Sequence, residues 1–581
     1  MVRSPILTWL DKPRGGAGIY AAGRGRQWDY LSYAEAAGLV DRLWPRVRES
    51  VVERATQEGD PPVVLLALPN DVTFIIGLFA TVTAGCVASP FPPPGALGRR
   101  AEYVDHLASR INATGATAVL CYPALTSVVD DACERATNTP SRIALDLDRI
   151  AAEHPDRARV VEIDHPLLQF TSGSTGTPRG VALSWSNLNA NLDAISAWLE
   201  WQPSDSVVTW LPPHHDMGLI GCILGSLAKQ TDLWLLRPEQ FVKHPIRWLE
   251  ALTPGRATMT AAPTFGYEHS AAQMTRDDFA SLNLRSWRVA LVGAEPLRAD
   301  ALLRFGVAAA GTGFQLDTFY PAYGLAEATL CVTGKQPAHS IPFAVSKPAA
   351  ALGGAVLRSA ERLDVLGGEP DLLCSSGRTM GDLLTEIVDE RGAPVDEGVV
   401  GEITVTGSSV AQPFIDGIIS PAPVPLHTGD AGFVLDGELF VIGRIQTSRK
   451  IHGETVFVED VERVMQRIPG LAEQRLVVIL PPTLQPEVVL VTTALKGDWV
   501  EAAATDLRRV AGHHGTVRIL RLPRSPIPLT PSGKPRRIAL WASIVSGTTD
   551  IEVLHGPALG APAGIASGTV RTTMHTSRGS R

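Results

Sequence analysis

The sequence predicts an α/β protein. Strand-like apolar runs alternate with helical patterns through most of the chain, and 581 residues are too many for one ordinary core. Residues 63–68 read as a buried strand and 71–84 as the helix after it, since Ile75, Leu78 and Phe79 recur at helical spacing. Ala118–Cys121 and Val289–Val292 are expected as further strands. Residues 167–170 form a strand, 171–180 a loop and 181–184 a second strand, so this loop joins two strands. The helix after it takes Ser184 or Ser186 as its cap and turns Leu188, Leu192 and Ile195 inward. From Glu402 the pattern shifts to short strands at 403–405, 432–435 and 438–442, the last two around the turn Asp436-Gly437. A smaller unit follows Arg444, with helices at 458–467 and 500–511 and strands at 475–480, 488–493 and 516–520. The chain therefore divides into a large domain of layered α/β subdomains, 1–443, and a small mobile α+β domain, 444–545, with a hinge near 443–448. The segment 546–581 is rich in Gly, Ala, Ser and Thr and is expected to be disordered.

Composition narrows the function. A formal charge of −8 argues against nucleic acid or an anionic membrane surface as the main partner. The six cysteines (Cys86, Cys121, Cys133, Cys222, Cys331 and Cys374) are scattered without a C-x-x-C pair, as expected for free thiols in a reducing, cytoplasmic setting. Residues 1–15 lack the apolar core and cleavage site of a signal peptide, and the apolar stretch 74–88 is too short to span a bilayer.

Five motifs carry chemistry. In TSGSTGTPRG, residues 171–180, small residues let the backbone aim several N–H groups at one point, an anion nest. The hydroxyls of Thr171, Ser172, Ser174 and Thr175 suit phosphate oxygens, and Arg179 adds a cation. Composition alone would equally describe a flexible Ser/Gly loop. In FYPAYGLAE, residues 319–327, Tyr323 offers a flat face for a base and Glu327 a hard oxygen for Mg2+, although a spacing of four also suits one ordinary helix face. In HTGD, residues 427–430, Asp430 follows a tight turn, and a carboxylate there can accept both hydroxyls of a ribose with Arg444 in support. An ordinary turn Asp and surface Arg fit as well. In LTPSGKPRR, residues 529–537, Lys534 stands beside Gly as a mobile point charge for developing phosphate charge, or as part of a basic surface turn. In LPPHHDMGL, residues 211–219, His214, His215 and Asp216 suggest metal ligation, but adjacent residues point apart and no further His sits at ligand spacing.

Together, in this order, the motifs resemble the adenylate-forming superfamily of acyl-CoA synthetases, peptide-synthetase adenylation domains and luciferases, over about residues 28–540. FPPP at 91–94, HDMGLI at 215–220, GAEP at 293–296 and AYGLAEATL at 322–330 look closest to the fatty acyl-AMP ligase branch. The resemblance implies ATP-dependent conversion of a fatty or related carboxylic acid to acyl-AMP with release of pyrophosphate. Acyl transfer to the phosphopantetheine thiol of an acyl carrier protein would follow. It implies a large adenylation domain and a small C-terminal domain carrying the catalytic lysine, with no nucleic acid and no integral membrane contact. Thr171, Ser172, Gly173, Ser174, Thr175 and Gly176 would wrap the triphosphate. Glu327, with Thr175, would hold Mg2+. Gly293, Ala294, Glu295, Tyr323 and Gly324 would line the adenine pocket. Asp430 and Arg444 would take the ribose, Lys534 the carboxylate and α-phosphate, and His215 the mouth of the acyl pocket. Residues 219–227 with Pro263, Phe265 and Tyr267 would line that pocket.

The sequence departs from the pattern in places. Arg179 stands where the family usually has Lys, Thr447 at the usual Asp or Lys hinge, and Thr264 for an Asn common in the acyl-AMP branch. Lys450 with Gly453 looks more like CoA ligases, whereas the long Ala/Gly/Leu-rich segment between Glu327 and Gly377 suits the acyl-AMP branch and a carrier-protein acceptor. An acyl-CoA synthetase, an amino-acid adenylating enzyme using Asp216 to pair an ammonium, and a non-catalytic homologue are the rival readings.

Overall fold

The computed structural model describes residues 4–52, 61–94, 100–155, 163–171, 179–295, 297–336, 343–346, 361–362, 372–415, 417–451, 454–471, 474–483, 485–512, 514–523, 526–529 and 535–557. They form two compact units, Met1–Phe457 and Val458–Arg581.

In the first unit, parallel strands buried on both faces need continuous apolar runs, and Ala118–Cys121 and Val63–Ala67 supply them. They belong to an eight-stranded sheet. Its parallel part runs Leu167–Thr171, Val87–Pro90, Val63–Ala67, Ala118–Cys121 and Ser141–Ala144. Arg179–Leu183, Gln412–Ile415 and Ile418–Ile419 extend it antiparallel on the Leu167–Thr171 side. A nine-stranded sheet has a parallel centre of Phe319–Gly324, Val289–Val292, Met259–Ala262, Ser206–Thr209, Asp232–Leu235 and Gly18–Ala22. Cys331–Gly334 and Arg378–Thr379 add antiparallel at one edge and Trp28–Ser32 at the other. Helix Val72–Thr83 is capped by Asp71, whose carboxylate accepts from Thr73 N at 2.9 Å. It packs with helix Tyr33–Val52 into the apolar core shared by the two sheets. The unit also holds a four-stranded antiparallel sheet, Leu384–Val388, Gly401–Thr406, Leu426–Leu435 and Glu438–Arg444.

The expected two-strand setting of the loop after residue 170 is present, with Thr171 opposite Arg179 in register. Ser184 caps the next helix, Trp185–Trp198, by accepting from Asn187 N at 3.1 Å. Tyr323 lies on a strand rather than a helix face, because Phe319–Gly324 is drawn into the sheet between Val289–Val292 and Cys331–Gly334. The compact units part after Phe457, later than the expected 443/444, since Phe457 is buried with Phe433, Phe440 and Ile442.

In the second unit a sheet runs Leu476–Ile479, Glu487–Thr492, Thr516–Arg521 and Glu552–His555. Helix Arg537–Val545 sends Leu540 and Ile544 into a core with Val477, Ile479, Val489, Val491 and Leu520. The last strand corrects part of the disorder expected from 546: Glu552–His555 pairs antiparallel with Thr516–Arg521, and Arg521 Nη1 reaches Glu552 Oε2 at 2.8 Å. Backbone pairing to an open strand edge carries this segment, which a composition-based expectation cannot register. Among the described residues no helix is long and apolar enough to cross a membrane.

Candidate active site

The hairpin Leu426–Leu435/Glu438–Arg444 positions two of the expected site residues, Asp430 and Arg444. Its turn is Asp436 at φ +53° and Gly437 at φ +74°, both left-handed, as a two-residue hairpin with a right-handed twist needs. Counting outward from Leu435↔Glu438, Gly432 pairs with Val441, and an unbroken ladder would put Gly443 opposite Asp430. A bulge after Gly432 shifts the register by one and puts Arg444 opposite Asp430 instead. Arg444 Nε then lies 2.7 Å from Asp430 Oδ1, and Tyr323 Oη donates to Asp430 Oδ2 at 2.7 Å. Burial pushes the Tyr323 phenol well above its ordinary range, with the Asp430 charge adding to it, so it stays a neutral donor.

The turn before Asp430 is braced in ways the motifs do not announce. Glu402 Oε1 accepts from Gly429 N at 3.0 Å, and its Oε2 lies 2.9 Å from His427 Nδ1. Thr428 Oγ1 donates to Ile403 O at 2.7 Å and accepts from Asp430 N at 3.1 Å. Neither Glu402 nor Thr428 is among the expected site residues: Thr428 sits inside the HTGD motif, and the only signal for Glu402 is its place on the strand adjacent to that motif.

Glu327 follows the strand that carries Tyr323, on a short 3-10 turn. Gly324 is required there, for a Cβ would lie 1.8 Å from Leu330 O. Ala411 N donates to Glu327 O at 2.8 Å, and Thr329, at φ +70°, donates from Oγ1 to Ser409 O at 2.6 Å. Burial pushes the half-buried Glu327 carboxyl above its ordinary range. Its own backbone N–H and Arg444 pull it down, while Asp216 and Asp430 push it further up. Glu327 thus feels the charges of Asp216, Asp430 and Arg444.

His215 Nδ1 lies 2.6 Å from Asp216 Oδ1, and the same oxygen accepts from Met217 N at 2.7 Å. Asp216 caps the π-helix Met217–Leu224, a rare geometry that concentrates at functional positions. Gly293, Ala294 and Glu295 follow the strand Val289–Val292. Ala294 adopts φ +68°, and Glu295 Oε1 accepts from Phe265 N at 2.8 Å, tying that strand end to helix Thr264–Gln273. Of the expected acyl lining, Leu219, Ile220, Ile223, Leu224 and Leu227 are buried core. Tyr267 is also core, its hydroxyl donating to Leu291 O at 2.9 Å, and Phe265 is exposed.

The structure brings Tyr323, Asp430 and Arg444 into contact and sets Glu327 in their electrostatic field. Arg179 stands exposed at the start of its strand. Ser172, Gly173, Ser174, Thr175 and Gly176 lie outside the described residues, as do Lys534 and most of the long segment between Glu327 and Gly377. At the base of the 530–534 stretch, Leu529 and Pro535 form an antiparallel bridge. Mg2+ is ordinarily held by one or two carboxylates plus substrate phosphates, and a raised, half-buried Glu327 fits that donor chemistry.

Residues 17–414 match the family model described as AMP-binding enzyme. The chain is 30% identical over 558 residues to a medium-chain-fatty-acid–[acyl-carrier-protein] ligase of Moorena producens, covering 90% of each chain. It is 30% identical over 517 residues to a 4-hydroxyphenylalkanoate adenylyltransferase of Mycobacterium tuberculosis, covering 82% of this chain and 81% of that one. Among solved structures, one from work on fatty acyl-adenylate ligases of E. coli and L. pneumophila superimposes with a TM-score of 0.79 at 28% identity. That match covers 94% of this chain and 98% of the other. With the family model matching well over half of its length, the chain belongs to the AMP-binding enzymes, the adenylate-forming family its motifs resemble.

Proposed function

We propose that the protein is a fatty acyl-AMP ligase: it joins a fatty acid to ATP, releases pyrophosphate, and passes the acyl group to a carrier-protein thiol. The observation that carries this reading is the Tyr323–Asp430–Arg444 contact with Glu327 beside it, in a chain 30% identical to a fatty-acid–carrier-protein ligase. A carboxylate is a poor acylating agent because its leaving group would be oxide. When its oxygen attacks the α-phosphorus of ATP, the P–O bond to the β-phosphate breaks, pyrophosphate leaves, and a mixed anhydride forms.

Two anions must approach, so the residues proposed for the site neutralise charge. Lys534 takes the carboxylate and α-phosphate, Arg179 and the 171–176 backbone take the phosphates, and Glu327 with Thr175 holds Mg2+. Bound there, Mg2+ would offset phosphate charge. Asp430 accepts the ribose hydroxyls, with Arg444 and Tyr323 fixing its carboxylate. Gly293, Ala294, Glu295 and Gly324 border the adenine, and His215, oriented by Asp216, stands at the acyl entrance. The engagement of Asp216 with His215 and Met217 N favours a fatty acid over an amino acid, whose ammonium would need that carboxylate.

CoA is the second reading for the acceptor. It is favoured by a relative called a putative acyl-CoA synthetase from Caulobacter vibrioides, 30% identical over 569 residues. The test offers the protein Mg-ATP and short- to long-chain acids, then CoA or a holo-carrier protein, with products followed by mass spectrometry. Acyl-AMP that moves to the carrier and not to CoA is expected. Fast acyl-CoA formation overturns the acceptor, and absence of acyl-AMP with every acid overturns the enzyme.

A further inference from the structure

Arg110 is only 6% exposed, and among the described residues no acidic side chain pairs with it. Among the described residues its fully buried Nε has no hydrogen-bond partner. What the guanidinium touches is aromatic: its carbon sits 3.6 Å from the centre of the Phe170 ring and 5.7 Å from that of Phe91. Attraction to ring faces offsets only part of the cost of drying a cation. Burial alone acts on the group, pushing it down to about 9, so it remains charged at neutral pH.

Its position is as telling as its isolation. Arg110 lies on helix Arg100–Thr114, and helical side chains lean toward the helix N-terminus. The guanidinium therefore reaches back to the carboxyl ends of the parallel strands. Phe91 directly follows Val87–Pro90, and Phe170 is the penultimate residue of the neighbouring parallel strand Leu167–Thr171. Open α/β sheets bind ligands at this edge. The ring contacts use none of its hydrogen-bonding capacity, the N–H fork that fits a phosphate, and its Nε is unpartnered among the described residues.

We propose that Arg110 is the cation of a phosphate-binding site at the carboxyl edge of the eight-stranded sheet. The proposal rests on the adenylation reading, which brings two phosphate-bearing ligands: the pyrophosphate end of ATP and the phosphopantetheine arm of the acceptor. Both present the same tetrahedral anion to the fork.

The test uses the full chain and two variants, Arg110→Met, which keeps the packed stem, and Arg110→Lys. Calorimetric titrations use magnesium pyrophosphate, 4′-phosphopantetheine and AMP, with thermal melts alongside. Arg110→Met is expected to weaken one phosphate probe at least tenfold and leave AMP unchanged. Its melting midpoint should match or exceed the parent's, because an unpaired buried charge has gone. Loss confined to pyrophosphate assigns the site to ATP, and loss confined to phosphopantetheine assigns it to the acceptor arm. Unchanged affinity for both probes, or no binding of either by the parent, overturns the proposal. Should the Met variant not fold, Arg110→Lys decides: a forked phosphate contact loses affinity on that change, and a mere buried charge does not. Failure of the parent to form acyl-AMP would sink the adenylation reading while leaving these titrations standing.

Discussion

Asp430→Asn keeps the size of the side chain and one carbonyl oxygen but removes the charge that Tyr323 and Arg444 address. Asp430 is 5% exposed and holds both partners at 2.7 Å. A hydrogen bond to a charged group contributes about 1.5–3 kcal/mol. Arg444 is half exposed, however, so its share is screened toward the ~0–1 kcal/mol of a surface pair. The amide oxygen can still accept from Tyr323, while its NH2 meets the Arg444 donor. The folded state should therefore lose about 1–2 kcal/mol, a fall of a few degrees in melting midpoint. In the nucleotide complex, two ribose hydroxyls would exchange a charged acceptor for a neutral amide. At about 1 kcal/mol each, the KM for ATP should rise roughly thirtyfold. ATP–pyrophosphate exchange at varied ATP, beside thermal melts, reads both numbers. Tyr323→Phe is the comparator: it leaves the carboxylate intact, costs about 1 kcal/mol of stability, and should move KM by less than about fivefold. An Asp430→Asn enzyme that folds normally with a KM within about twofold of the parent would refute the ribose assignment.

Three further outcomes are expected. Lys534→Ala should cut acyl-AMP formation by about 10²–10³ with an unchanged melting midpoint, and near-normal activity would sink the role given to Lys534. Glu327 has a folded-state pKa raised by burial, so its ionised form costs stability once the pH climbs through that value and costs nothing below its unfolded pKa. Glu327→Gln should therefore melt at or above the parent at pH 7, the gap closing as the pH falls to about 4, while adenylation drops at least tenfold; a melt clearly below the parent at pH 7 contradicts this. Gly324→Ala forces a methyl to within 1.8 Å of Leu330 O, a backbone atom that cannot swing away, and should cost about 3 kcal/mol or more in denaturant unfolding.

How far the sequence foretold the molecule depended on how local each cause was. Strands such as Ala118–Cys121 and Val289–Val292 appear at their expected limits, because a parallel strand buried on both faces writes itself as an unbroken apolar run. The strand setting of the loop after residue 170 was legible from the apolar runs on either side, and of the two expected caps, Ser184 and Ser186, the helix uses Ser184. Tyr323 and Glu327 were harder: a spacing of four looks helical, and only pairing with distant strands makes Phe319–Gly324 extended. The Asp430–Arg444 pair was guessable by type but not by count, since the bulge that aligns them leaves no mark on hydrophobic periodicity. Arg110 gave no signal at all, because its isolation among Phe91 and Phe170 is a fact of three dimensions.

The strand Glu552–His555 sets a practical limit on where this chain can be shortened. It closes one side of Thr516–Arg521, whose backbone N–H and C=O groups would otherwise face outward as a template for another polypeptide. A chain ended at 545 would keep every proposed catalytic residue, including Lys534, yet present that bare edge to its neighbours. Its failure would then be one of colloidal behaviour, with self-association growing with concentration, rather than of chemistry. A chain ended after Pro557 keeps the edge covered.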